Sequence, residues 1–157
     1  MTTISDAALL RLRAAAFGDA AGDRYAIIEE LGRGGMGTVY LAVDTELGRE
    51  VALKVPNASD AVLLERRLEA EARVLASLEH PGIVPIHDAG RLADGRAFYV
   101  MKHVRGRTLG AHMAAVRDPA DRLRVFERIC EPVAFAHANG CIHRDLKPEN
   151  VMVGAFG

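Results

Sequence analysis

One segment of the 157-residue chain combines three side chains that together suit phosphoryl transfer. Asp145 offers a carboxylate, Lys147 a cation and Asn150 an amide, at spacings of two and three residues. A carboxylate can accept a hydroxyl proton, a cation can neutralise phosphate charge, and an amide oxygen can bind Mg²⁺. Because the segment follows a stop signal at Gly140 and precedes the apolar stretch 151–153, we predict a loop held between two rigid elements.

A second candidate segment contains the pattern G-x-G-x-x-G at Gly32, Gly34 and Gly37. Glycine lets main-chain N–H groups approach phosphate oxygens closely. A dinucleotide-binding turn would lead from a strand into a helix, whereas the residues after Gly37 are typical of a strand. A P-loop would need lysine where this chain has Thr38. The pattern therefore predicts a hairpin that covers phosphates, and a plain glycine-rich hairpin is the alternative.

Two charged residues stand in otherwise apolar surroundings. Lys54 lies inside the strand-like stretch 51–55, and Glu71 interrupts a stripe of leucines at helical spacing. An unpaired charge in a core is costly, so we predict that Lys54 and Glu71 form an ion pair. Two separate solvated charges are the alternative, since Glu65 and Glu69 are close in sequence. The stripe consists of Leu64, Leu68, Leu75 and Leu78.

The elements that must position these residues are short strands followed mainly by helices. The predicted strands, rich in β-branched and aromatic residues, are 25–31, 38–43, 50–55 and 97–101. Turns are predicted at 47–49 and 94–96. Helices are predicted at 5–17, 60–79 and 119–138. In the last of these, Pro119 suits the first turn, Pro132 should bend the helix, and Asn139-Gly140 should end it.

In this order the motifs resemble those of the eukaryotic-like (Hanks-type) protein kinases, specifically the bacterial Ser/Thr kinases. The resemblance covers about residues 24–157 and includes the glycine pattern, Lys54, Glu71 and the loop from His143 to Asn150. It implies an α+β fold, with a kinase N-lobe of five antiparallel strands plus one helix, and a truncated, mainly helical C-lobe. The implied domains are an N-terminal extension at 1–23, the N-lobe at 24–103 and a partial C-lobe at 104–157.

The resemblance also implies ATP and Mg²⁺ as cofactors, and a role for each matching residue. Lys54 would hold the α- and β-phosphates and pair with Glu71. Asp145 would act as the base, Lys147 would lie near the γ-phosphate, and Asn150 would bind Mg²⁺. Met101 would be the gatekeeper, the main chain of Lys102 and Val104 would bond adenine, and Val39 and Ala52 would form its roof. The glycines implied to cover the phosphates are Gly32, Gly34 and Gly37.

The sequence departs from the family at one metal-binding motif. It contains no D-F-G or D-W-G, whose aspartate binds Mg²⁺ in kinases. The segment 155–157 is too close to Asn150 to replace that motif, and residues 154–157 are predicted to form the turn of a hairpin. We therefore expect the chain to end within the kinase domain and to be inactive by itself. The alternatives are a catalytically inactive nucleotide-binding or regulatory fragment, and a small-molecule phosphotransferase, against which Arg144 and Lys147 argue.

Composition places few limits on partners. The formal net charge is −1, which gives no electrostatic reason to expect nucleic acid or an anionic membrane. No apolar run reaches the roughly 18–20 residues that span a bilayer, and no secretory signal is evident. Cys130 and Cys141 do not form a C-x-x-C pattern. We therefore expect both to be reduced thiols, which fits a reducing cytoplasm. We expect a cytoplasmic protein whose partners are ATP and a protein substrate.

Overall fold

The computed structural model describes residues 24–35, 37–57, 61–92 and 94–154. The extension at 1–23, with its predicted helix at 5–17, lies outside the described residues, as do the side chain of Leu64 and the segment 155–157. Among the described residues, no helix is long and apolar enough to cross a membrane.

The element order is that of strands with one inserted helix, followed by a mainly helical part. The first five strands form one antiparallel sheet in the order β1-β2-β3-β5-β4, and β6 pairs with β7 separately. This confirms the predicted α+β fold. The elements are β1 (Tyr25–Gly34), β2 (Gly37–Asp44), β3 (Arg49–Val55), α1 (Ala61–Ser77), β4 (Ile86–Arg91), β5 (Ala97–Lys102), β6 (Gly106–Thr108), α2 (Leu109–Met113), α3 (Pro119–Ala138), a 3-10 helix (Pro148–Asn150) and β7 (Met152–Gly154).

Strand β4 is the one strand of the five-stranded sheet that was not located from the sequence. Its residues Ile86–Arg91 include a glycine, an aspartate and a histidine, and it contains a single β-branched residue. It forms an edge of the sheet and takes its register from β5, with an irregularity between Ile86 and Asp88. Its strand conformation is therefore imposed by pairing with β5 rather than by local propensity.

The described residues divide into two compact units, which we treat separately. The first unit contains the residues up to Arg73 together with Ile86–His103, and the second contains Val74–Pro85 together with the residues from Val104 onward. The five-stranded sheet and the part of α1 that carries Glu71 belong to the first unit. The elements α2, α3, β6, β7 and the 3-10 helix belong to the second. The domain limits 24–103 and 104–157 remain a prediction.

The core of the first unit lies on the central strands β3 and β5. Val51, Leu53 and Val100 are completely buried there. Tyr25 packs edge-on against Phe98, with ring centroids 6.0 Å apart. Burial of this apolar surface stabilises the sheet that carries the candidate phosphate-binding residues.

In the second unit, helix α3 leads into the candidate catalytic loop. It begins at the predicted Pro119, where the Asp118 carboxylate accepts a hydrogen bond from Ala120 N at 2.9 Å. It continues through Pro132, and whether it bends there remains a prediction. At its end Gly140 has a φ of 73°, a left-handed conformation that confirms the predicted stop and turns the chain into the loop.

Candidate active site

The first cluster is built around the predicted pair of Lys54 and Glu71. Lys54 Nζ lies 2.8 Å from Glu71 Oε1 and 3.0 Å from Oε2, which confirms the pair. The two side chains are 15% and 33% exposed, so both are partly shielded from solvent. Leu68 and Ala72 are buried on α1 beside Glu71, and they hold this part of the helix against its unit. A lysine held in this way is a fixed cation suited to phosphate.

Tyr99 joins this pair, although it was not predicted as a site residue. Its hydroxyl donates a hydrogen bond to Glu71 Oε1 at 2.9 Å. Burial, together with the negative charge of Glu71, raises the pKa of Tyr99 far above its usual value, so the hydroxyl keeps its proton. The sequence contained one indication of this contact, because Tyr99 lies in an apolar strand-like stretch and the hydroxyl of a buried tyrosine usually needs a polar partner.

The glycine-rich hairpin leaves open space at three of its glycines. A Cβ added at Gly32, Gly34 or Gly35 would meet no other atom within 4 Å, so packing does not require glycine at these positions. Gly37 differs, because its Cβ would lie 2.4 Å from the carbonyl oxygen of Val55. The open side of the hairpin therefore leaves room for the close approach of a phosphate group, and contact with phosphate remains a prediction.

Asn57 fastens this hairpin and was also missed by sequence analysis. Its Nδ2 donates to the carbonyl oxygen of Gly34 at 2.8 Å, and its Oδ1 accepts from Thr38 Oγ1 at 3.2 Å. Thr38 is buried, so the second bond is anchored in the sheet. Asn57 follows β3 directly in sequence, and nothing in its local pattern distinguishes it from a loop asparagine.

The predicted adenine-binding side chains lie on three neighbouring strands. Ala52 is directly opposite Met101 and also opposite Leu41, which is two residues from Val39. Because cross-strand partners share a face and side chains alternate along a strand, Val39, Ala52 and Met101 lie on the same face of the sheet. Lys102 is opposite Val51 and projects from the other face.

The remaining predicted hinge residue, Val104, belongs to the second unit. The structure therefore brings Val39, Ala52 and Met101 together on one sheet face of the first unit. The main-chain contacts with adenine that were predicted for Lys102 and Val104 remain predictions.

The second cluster is the predicted catalytic loop, and its three polar residues are in direct contact. Lys147 Nζ lies 2.9 Å from Asp145 Oδ2. Asn150 Nδ2 donates to the carbonyl oxygen of Asp145 at 2.8 Å and to its Oδ2 at 3.0 Å. The bonds from Lys147 and then from Asn150 hold the pKa of Asp145 below its usual value. The loop thus presents an ionised, exposed carboxylate.

The backbone of this loop has an unusual conformation beside that carboxylate. Arg144 has a φ of 64°, the single non-glycine residue in the described chain with a left-handed backbone. Such conformations are costly and cluster at functional sites. His143 Nδ1 accepts a hydrogen bond from Asp145 N at 3.3 Å, and Leu109 N donates to Val151 O at 2.7 Å where the loop leads into β7. These contacts support the turn that exposes Asp145.

The sequence of the chain matches one family profile over most of its length. Residues 25–155 match the protein kinase domain. The chain belongs to the protein kinase domain family. This confirms the resemblance inferred from the ordered motifs.

Bacterial Ser/Thr protein kinases are among the curated relatives of this chain. It is 39% identical over 148 residues to the serine/threonine-protein kinase PknD of Chlamydia caviae, and 39% identical over 150 residues to PknD of Chlamydia muridarum. Each match covers 85% of this chain but only 16% of the relative. The chain therefore spans about one sixth of the length of these kinases.

Solved structures agree with the fold. The kinase domain of PknI from Mycobacterium tuberculosis superposes with a TM-score of 0.69 and is 32% identical. The match covers 85% of this chain and 55% of the PknI chain. A second PknI kinase-domain structure gives a TM-score of 0.66 at 33% identity.

The kinase family implies Mg²⁺, and the donor atoms of the loop suit it. The amide nitrogen of Asn150 donates to Asp145, so its amide oxygen, Oδ1, is the atom that would bind a metal ion. Amide and carboxylate oxygens are the donors that Mg²⁺ prefers, and this ion usually takes one or two protein ligands plus phosphate oxygens. No group of three or more His, Cys, Asp or Glu residues in the described chain forms a metal site by itself.

Proposed function

We propose that this chain binds Mg-ATP and carries the catalytic loop of a Ser/Thr protein kinase domain. In the complete domain the γ-phosphate of ATP would pass to Ser or Thr hydroxyls of proteins. The observation that supports this most directly is the Lys54–Glu71 pair, at 2.8 Å, on a sheet whose glycine hairpin is open. The family and the names of the PknD relatives support the Ser/Thr class.

The residues of the first unit are proposed to bind the nucleotide. Lys54, oriented by Glu71, neutralises the α- and β-phosphates, while the open main chain at Gly32 and Gly34 approaches phosphate oxygens. Gly37 supports the hairpin by packing against Val55. Adenine lies against the sheet face that carries Val39, Ala52 and Met101, and the main chain of Lys102 and Val104 bonds its edge.

The residues of the loop are proposed to serve the transfer step. The substrate hydroxyl oxygen forms a bond to the γ-phosphorus, the bond to the β,γ-bridging oxygen breaks, and ADP leaves. Asp145, whose ionised form is stabilised by Lys147 and Asn150, accepts the hydroxyl proton. Lys147 then offers its charge to the γ-phosphate. When bound, Mg²⁺ neutralises charge on the β- and γ-phosphates, and the amide oxygen of Asn150 would hold it.

The domain limits and location follow from the same proposal. The N-lobe is 24–103, the partial C-lobe is 104–157, and residues 1–23 are an extension. ATP as substrate favours a cytoplasmic location. The second candidate function is a nucleotide-binding or regulatory fragment without catalysis, which would use the same Lys54–Glu71 pair and open hairpin but would lack the transfer step.

The first test is binding of Mg-ATP to the purified 157-residue chain by calorimetry. Lys54→Met should weaken binding at least about tenfold, because the phosphates lose their fixed cation. The matched control is Arg67→Met, which removes a cation from an exposed position of α1 and should leave affinity unchanged. Equal affinity of Lys54→Met and wild-type chains would contradict the proposal.

The second test separates kinase from binding fragment. The chain by itself should transfer no phosphate to a generic Ser/Thr substrate. A longer chain, completed with the remaining C-lobe of the PknI kinase domain, should do so and should lose this activity with Asp145→Asn. A completed chain that binds Mg-ATP but never phosphorylates protein would favour the non-catalytic alternative.

A further inference from the structure

The Lys54–Glu71 pair has a third member that comes from the sheet. Strand β5 places Tyr99 directly opposite Lys54 on β3, so both side chains project from the same sheet face. Tyr99 is 2% exposed, and its hydroxyl lies 2.9 Å from Glu71 Oε1. Lys54 Nζ also lies 5.6 Å from the centre of the Tyr99 ring. One tyrosine therefore contacts both members of the pair.

The two donors to Glu71 differ in rigidity. Lys54 has a long, flexible side chain with four rotatable bonds, whereas Tyr99 has two and is buried in the central sheet. Glu71 Oε1 accepts from both donors, and Oε2 accepts from Lys54 alone. With the lysine as its sole donor, the carboxylate and the ammonium would be free to move together. The hydrogen bond from the Tyr99 hydroxyl restricts the movement of Glu71 relative to the sheet.

We propose that Tyr99 is a positioning residue, a donor anchored in the sheet that holds Glu71 and thereby the part of α1 that carries it. It acts on nucleotide binding through Glu71, because the held carboxylate fixes Lys54 where ATP phosphates would meet it. The predicted effect of Tyr99 on ATP binding rests on the proposed function. The predicted effect on the stability of α1 rests only on the contacts of Tyr99, Glu71 and Lys54.

The chain offers a matched control for the loss of this hydroxyl. Tyr25 is 5% exposed, and its hydroxyl donates to the carboxylate of Asp88 at 2.6 Å. It belongs to the same unit but contacts neither Lys54 nor Glu71 in any bond described. Tyr25→Phe and Tyr99→Phe therefore remove the same kind of bond, a buried phenol donating to a carboxylate, from two different places.

The first measurement is amide hydrogen exchange of the full chain, resolved by segment. Tyr99→Phe should speed exchange in α1 by about tenfold relative to β3 and β5, the change expected for one lost bond to a charged group. Tyr25→Phe should leave this ratio unchanged. Glu71→Ala should speed exchange in α1 as well, and adding Tyr99→Phe to it should change little more. A Tyr99→Phe chain with the exchange ratio of the Tyr25→Phe chain would overturn the proposal.

The second measurement is the affinity for Mg-ATP in a double-mutant cycle. Tyr99→Phe should weaken binding by about three- to tenfold when Glu71 is present and by less than about twofold in the Glu71→Ala chain, because the two residues act as a unit. Equal losses in both backgrounds would show a purely structural role and overturn the inference. Failure of the wild-type chain to bind Mg-ATP would instead refute the proposed function, and the exchange measurement would still decide the role of Tyr99.

Discussion

At the residue scale, neighbours close in sequence stabilise the ionised form of the candidate base. Lys147 Nζ lies 2.9 Å and Asn150 Nδ2 lies 3.0 Å from the same carboxylate oxygen of Asp145, Oδ2. Both contacts favour the ionised form, so the pKa of Asp145 is lowered. At neutral pH Asp145 would be ionised even with the ordinary aspartate pKa of about 3.9, and these two contacts extend its ionised form to lower pH.

The first prediction concerns the titration of this carboxyl group. Lys147→Ala or Asn150→Ala should raise the pKa of Asp145 toward the ordinary value of about 3.9, because each removes a contact that favours the charged form. The wild-type group stays ionised to a lower pH than either variant. Carboxyl carbon NMR of the labelled chain measures this directly. Asp94, whose pKa is lowered by Arg96, is the internal control and should titrate unchanged.

At the element scale, the glycines of the glycine-rich hairpin differ in how closely they are packed. Gly37 packs so closely on the carbonyl of Val55 that no side chain fits, whereas Gly35 faces open space. Asn57, which follows β3, donates a hydrogen bond to the carbonyl oxygen of Gly34. The hairpin is therefore fixed where it joins the sheet and open where phosphate would approach.

The second prediction compares two of these glycines. Gly37→Ala should lower the free energy of unfolding by about 1–3 kcal/mol, because its Cβ would overlap backbone that cannot rotate away. Gly35→Ala should change it by less than about 0.5 kcal/mol. Urea unfolding of the two variants checks both values. A similar loss of stability in both variants would mean that the destabilisation by Gly37→Ala comes from lost glycine flexibility and not from the contact with Val55.

Another element-scale feature is the carboxylate at the end of β2. Asp44 is completely buried, and Arg24 contacts its two oxygens at 3.2 Å, which lowers the pKa of Asp44. A lowered pKa in the folded state adds stability above the unfolded pKa of about 3.9, and this stability is lost as the pH falls through the folded pKa.

The third prediction follows from that linkage. Arg24→Met should destabilise the chain at pH 7, and the difference from wild type should shrink as the pH falls below about 4, where Asp44 becomes protonated in the unfolded chain. Urea unfolding across this pH range measures the difference. Asp44→Asn with Arg24 intact provides the control, since its stability should lose the acid dependence that comes from Asp44. A difference independent of pH would assign the effect of Arg24 to packing.

At the scale of the whole molecule, helix α3 carries an apolar face that the described chain leaves exposed. Leu123 and Phe126 are 58% and 62% exposed, and none of the described residues of the helix is buried. In the described chain this face of α3 is therefore uncovered. A contiguous exposed apolar surface favours association, because burying it gains about 25 cal/mol per Å².

The fourth prediction is that the 157-residue chain self-associates through this face. Sedimentation at increasing concentration should show oligomers, and the double variant Leu123→Glu with Phe126→Glu should remain monomeric. The variant should keep the unfolding transition of the wild type, because the substituted positions are exposed. A wild-type chain that is monomeric at high concentration would contradict this prediction, and so would oligomers that persist in the variant.

The sequence by itself determined the features that depend on neighbouring residues. The spacing of Asp145, Lys147 and Asn150 predicted a polar cluster, and Lys147 and Asn150 both contact Asp145 because the three lie within six consecutive residues of one loop. The leucine stripe of α1 predicted a paired Glu71, since a carboxylate on an apolar face needs a cation. Turn and cap residues such as Gly140 marked the ends of elements, because their backbone conformations are local properties.

Only the tertiary structure decided which distant residues complete these clusters. Tyr99 lies 28 residues from Glu71 in sequence, and Asn57 lies 23 residues from Gly34. Their contacts depend on strand register and on the packing of α1 against the sheet, and neither property has a period or motif in the sequence. The strand β4 likewise exists because β5 supplies its hydrogen bonds. Pairing energies are non-local, so these features become visible only when the chain is folded.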